Sequence, residues 1–150
     1  MLESEIPPLD MIVRLLMAAG LALLLGLERE LRRKPAGLRS HMLVSVGAAA
    51  FILIGLHILM TTAEGDPSAR IDPSRIVEGV IGGIGFLGAG CIIQSRGSVQ
   101  GITTGASIWI SGAIGVACGL GTLVLATMVT VLALIIVVVL GRFERDVIEE

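Results

Sequence analysis

Apolar residues fall into five long blocks, and charged residues are almost confined to the gaps between them. The blocks cover residues 9–27, 41–62, 74–94, 103–118 and 122–140, each near the ~20 residues a membrane-crossing helix needs. Pro7, Pro8 and Asp10 suit the start of the first helix. Pro35 and Gly37 break the basic stretch Glu28 to Ser40, and Ser40 is a candidate cap for the second helix. A polar loop, Ala63 to Pro73, leads to Ser74 as a cap for the third. Beyond the turn S-R-G-S-V-Q-G, the run from Gly97 to Gly141 contains no Asp, Glu, Lys, Arg or His. That run is too long for one span, and Gly119-Leu120-Gly121 is the natural hairpin within it. The pattern predicts an all-α polytopic membrane helix bundle with five transmembrane helices.

Small residues refine the picture. Six of the nineteen residues from Ile76 to Gln94 are glycine. Each would cost about 1 kcal/mol relative to alanine in a water-exposed helix. In lipid, glycine is tolerated and lets neighbouring helices approach backbone to backbone. Gly79, Gly83 and Gly90 share one face, while Gly82, Gly85 and Ala89 form a second stripe, with Gly88 completing the set. Two close-packing faces predict that the third helix is the centre of the bundle. Ser107, Ser111, Gly115 and Gly119 make a matching stripe on the fourth. Ala18, Ala22 and Gly26 repeat likewise on the first, whereas the fifth has no internal glycine and suits lipid. Gly83 to Gly88 also matches GxGxxG, but that dinucleotide motif requires a preceding strand and an acid about 20 residues on. Hydrophobic flanks and the lack of any acid between Glu78 and Glu144 argue for packing instead.

Composition agrees. Hydrophobic residues make up 54% and charged residues 16%, against about 25% charged in soluble chains. The length fits a single domain, 1–150, and the net charge of −2 gives no hint of a nucleic-acid partner. Basic residues concentrate in the first loop, at Arg96, and at Arg142 and Arg145. By the positive-inside rule, this predicts an external N-terminus and a cytoplasmic C-terminus. Cys91 and Cys118 read as small hydrophobic residues at opposite depths, and the acidic start does not resemble a cleaved signal.

The polar residues at or inside the blocks are the candidates for function. Glu28 and Arg29 close the first span. They either form a cluster with Arg39 or the Thr103-Thr104 helix start, or are a solvated helix end. Arg14, His57 and Glu78 lie inside spans, where charge is costly and functional by default; pairing of Arg14 with Glu78 is one expectation. Asp72 and Arg75 suit a helix start with a local ion pair, and Trp109 suits packing or contact with lipid or a partner. No metal-ligand spacing, triad or phosphate loop is present, so neither a cofactor nor an enzymatic activity is expected.

Several ordered motifs resemble the MgtC/SapB family of bacterial inner-membrane proteins. They are G-L-E-R-E (26–30), A-G-L-R-S (36–40), D-P-S-R-I (72–76), G-I-G-F-L-G-A-G (83–90), V-Q-G-I-T-T (99–104) and A-S-I-W (106–109). Gly105, where the family has alanine, and Glu78, where a neutral residue is expected, depart from the pattern. The resemblance implies about five spans, followed in many members by a cytoplasmic ACT-like domain, so this chain looks like a short form or a truncated piece. It also implies a link to magnesium limitation and virulence, and regulation of another membrane protein such as the F-type ATP synthase. Expected partners are therefore membrane lipids, an integral membrane protein and a second copy in a dimer. The rival reading is an ion transporter or channel lined by Arg14, Glu78, Gln94 and Glu28; a structural membrane subunit is a third.

Overall fold

Helix ends in this protein are set by proline and glycine. Pro8 opens α1 (Pro8–Leu31), where a missing N–H costs nothing, and Asp10 lies in its first turn. Arg33, with φ 53°, reverses the chain after α1, and α2 (Leu38–Gly65) follows directly after Gly37. α3 spans Ser74–Gly90. Strands β1 (Ile93–Ser95) and β2 (Ser98–Gln100) then form a small antiparallel hairpin, with Gln94 opposite Val99 and Gly97 at φ 87° in its turn. α4 (Ile102–Gly119) leaves Gly101 at φ 86°, and Gly121 at φ 79° turns the chain into α5 (Leu123–Ile135). One π-helical turn, Ile136–Leu140, continues α5. The computed structural model describes residues 6–65, 72–95 and 97–142.

Several expectations need correction. The third helix stops at Gly90 rather than 94, and of the apolar Ile92-Ile93 pair that suggested its continuation, Ile92 lies in the connection and Ile93 opens β1. At 17 residues α3 is about 25 Å long, short of the ~30 Å hydrocarbon core. Among the described residues, four helices are long and apolar enough to cross a membrane, with mean hydropathies of 2.0, 2.4, 1.4 and 3.2 in chain order. α1 runs past residue 27, so Glu28, Arg29 and Glu30 are helical. α2 begins at Leu38, its N–H held 3.1 Å from Glu30 Oε2, rather than at a Ser40 cap. Ser74 is already helical; the carboxylate of Asp72 accepts its N–H at 2.9 Å.

The largest correction concerns the centre. Of the four long helices, α4 has 61% of its span buried, against 17–33% for the others, and it packs against α1, α2, α3 and α5. Its small residues are what admit these neighbours. A Cβ on Gly119 would stand 2.8 Å from the Ala49 carbonyl oxygen, and one on Gly115 would collide with the Ser45 carbonyl. The stripe on α4 therefore mates mainly with α2. α3 docks on α4 through Ile84, seated on Gly112, and through Gly88 against Gly105, where a Cβ at 105 would lie 2.6 Å from the Gly88 oxygen. Only Val80, Ile84 and Gly88 of α3 are buried. Cβ atoms at Gly79, Gly82, Gly83, Gly85 and Gly90 would meet nothing within 4 Å, so among the described residues those glycines meet no packing partner.

Candidate functional site

Where α1 ends and α2 and α4 begin, the bundle encloses a cluster of polar side chains. Arg29 is 3% exposed and His41 and Ser45 are fully buried, with Thr104, Ser107 and Ser111 beside them. The arrangement follows from the local sequence. Gly26 lets α2 approach α1, since a Cβ there would lie 2.9 Å from the Leu38 Cα. Ser107 and Ser111 are four apart, one above the other on a helix face.

Arg29 donates through Nη2 to Thr104 Oγ1 at 3.4 Å, and its Nη1 stands 3.7 Å from Glu28 Oε2. Glu28 is also paired with Arg32 through Nε. Arg29 lies in the last turn of α1, where a cation suits the macrodipole, and the adjacent Glu28 carboxylate offsets its less favourable approach to the start of α4. His41 Nδ1 lies 2.7 Å from the Gly37 carbonyl and Nε2 lies 3.0 Å from Ser107 Oγ. A carbonyl only accepts, so Nδ1 carries a hydrogen. Ser107 has one hydrogen and two claimants, His41 Nε2 and the Thr104 carbonyl at 2.8 Å. With neutral imidazole the serine donates to Nε2; with imidazolium it turns to the carbonyl. The cluster thus ties three helices together while leaving one hydroxyl able to reverse.

At the other end of α4, Arg14 donates through Nη1 to the Gly119 carbonyl at 2.8 Å and pairs through Nη2 with Asp10 at 2.7 Å. This is the favourable sense, a cation on unsatisfied C-terminal carbonyls. Asp10 and the Gly119 carbonyl, not Glu78, are therefore the partners of Arg14; Glu78 is exposed on α3. Of the expected inner cluster, Arg29 reaches Thr104, while Thr103 and Arg39 are exposed. Asp72 and Arg75 do not form the expected ion pair. Hydrogen bonds from the Ser74 hydroxyl and N–H hold the Asp72 carboxyl below its ordinary range, and Arg75 lines a groove between α2 and α3. Trp109 is 46% exposed at the rim of a crevice of about 160 Å³ between α3, α4 and α5. Cys91 and Cys118 are free thiols. Arg14, Glu28, Glu78 and Gln94 do not converge: the first two sit at opposite ends of α4, and the last two are exposed.

Sequence reasoning missed His41 and its contact with Ser107. The available signal was a histidine four residues after Gly37, within reach of a turn carbonyl. The partner, 66 positions away, had no local signature.

Apolar helices around a buried polar clasp define a multi-pass membrane protein. The chain belongs to the MgtC family, which it matches over residues 15–146. It is 41% identical over 133 residues to "Protein MgtC" of Salmonella typhimurium strain LT2, covering 89% of this chain and 53% of that protein. It is 37% identical over 127 residues to the Escherichia coli K12 protein named "Putative magnesium transporter YhiD", covering 85% and 59%. An uncharacterized Haemophilus influenzae protein is 37% identical over 123 residues, 81% of this chain and 52% of that one. The chain therefore spans just over half the length of these relatives. No solved structure matches it.

Proposed function

We propose that this chain is a non-enzymatic regulator in the bacterial inner membrane, linked to magnesium limitation and acting by helix contact on another membrane protein such as the F-type ATP synthase. The observation that carries this reading is the composition of the core. Among the described residues, the buried polar positions are Arg29, His41, Ser45, Thr104, Ser107, Ser111 and Thr130. They comprise an arginine, a histidine and hydroxyls, and the buried carboxylate oxygens beside them, those of Glu28, are already held by Arg29 and Arg32. A cation path calls for acidic or carbonyl-lined positions along its length, and a buried guanidinium repels a divalent cation. The rival reading, a magnesium transporter, draws on the name of the Escherichia coli relative. Co-expression followed by ATP-driven proton pumping in inverted vesicles tests the regulator: pumping should fall in proportion to the chain present, and unchanged pumping would contradict it.

The same reading takes α3 as a fifth span, with the N-terminus outside and the C-terminus in the cytoplasm, because the basic residues cluster in the first loop and tail. Cysteine placed at Ser40 should label only after permeabilisation, and cysteine at Ser68, outside the described residues, should label in intact cells. The opposite pattern would invert the topology.

A further inference from the structure

A groove of about 780 Å³ lies between α2 and α3. Its walls are apolar, and Arg75 stands at the end where α3 begins. Three wall residues, Gly47, Gly79 and Gly83, would meet nothing within 4 Å if given a Cβ. Among the described residues these glycines have no packing partner.

Shape and charge limit the occupant. Ile76 of α3 rests on Gly55 of α2, where a Cβ would lie 2.6 Å from Ile76 Cδ1. The walls thus converge near Arg75, and a helix about 10–12 Å across cannot lie between α2 and α3 at that end. From Arg75 to Leu87 the α3 wall runs about 18 Å at 1.5 Å per residue, comparable with the ~15 Å acyl depth of one leaflet. Arg75 is exposed. Two acids lie three residues away, Asp72, engaged by Ser74, and Glu78, exposed one turn along α3, yet no ion pair involves Arg75 among the described residues. An apolar groove about one leaflet long, ending at a guanidinium with no ion pair among the described residues, matches a phospholipid.

We propose that the groove between α2 and α3 holds one phospholipid, with its phosphate on the Arg75 guanidinium and an acyl chain lying along Gly79 and Gly83. A net anionic headgroup is preferred, because a zwitterionic one carries its own ammonium to offset the phosphate. Native mass spectrometry of the purified chain, titrated with phosphatidylglycerol and phosphatidylcholine, tests this. Wild type should retain one phosphatidylglycerol, favoured about fivefold, as one interfacial arginine allows. Arg75→Gln should lose the headgroup preference. Gly83→Leu should fill the slot and lose the lipid while keeping its helical circular dichroism; if it fails to fold, Gly79→Leu carries the same expectation. Val131→Leu, on the exposed face of α5, should bind as wild type does. A preference that survives Arg75→Gln, a lipid that survives the leucine variants, or no preference in wild type would each overturn the proposal. So would a wild-type dimer that Gly83→Leu converts to monomer, which would place a second copy in the groove.

Discussion

Two glycine-to-alanine substitutions should move stability in opposite directions. At Gly115, the added methyl would stand 2.8 Å from the Ala48 Cβ and closer still to the Ser45 carbonyl oxygen. Unstrained carbon contacts begin near 3.5 Å, so α4 must retreat from α2 along their tightest contact. Overpacking of this kind costs about 1–3 kcal/mol. At Gly83 the methyl meets nothing within 4 Å, and alanine gains about 1 kcal/mol of helix propensity. The variants should therefore differ by roughly 2–4 kcal/mol, the sum of these two effects. At about 2–4 °C per kcal/mol for a chain of this size, that is on the order of 10 °C. Thermal melting in detergent, followed by loss of the monodisperse peak, reads the difference. Equal melting, or a Gly83→Ala variant less stable than Gly115→Ala, would refute the placement of α4 at the centre.

Three further outcomes follow from the polar contacts. Ser107→Ala leaves His41 Nε2 buried without its partner and should cost about 1–3 kcal/mol by the same melting assay, whereas Thr103→Ala, at an exposed position, should be nearly neutral. Arg14→Met removes the cation from the Gly119 carbonyl and should destabilise by up to ~2 kcal/mol, with amide exchange rising at the α4–α5 turn; exchange unchanged there would exclude the cap. Because the Asp72 carboxyl titrates below 3.8 when folded, its cap on α3 is complete above that pH and is lost as the pH falls through the lower folded value. Amide protection at the start of α3 should therefore separate wild type from Asp72→Ala at neutral pH and converge in acid.

The number of helices and most of their ends were legible because proline, glycine and the charge-free run impose them locally. Which helix sits at the centre was not. Glycine stripes on α3 and α4 look alike in one dimension, and only packing shows that Gly115 and Gly119 meet backbone while Gly79 and Gly83 meet nothing. The pairing of Arg14 failed for a related reason. Two opposite charges in apolar helices invited each other, but Asp10 one turn away and the α4 carbonyls were nearer than Glu78. Arg29 and Thr104 were recognisable as a pair because each closes or opens an apolar block at the same membrane face. His41 had only its spacing from Gly37 to mark it, and its other partner, Ser107, lies 66 positions away.

Magnesium uptake into proteoliposomes holding the purified chain alone is the most direct test of regulation by contact against transport. With an imposed gradient and membrane potential, uptake should equal that of protein-free vesicles. Saturable uptake that scales with the amount of chain would contradict the account and assign the protein to transport.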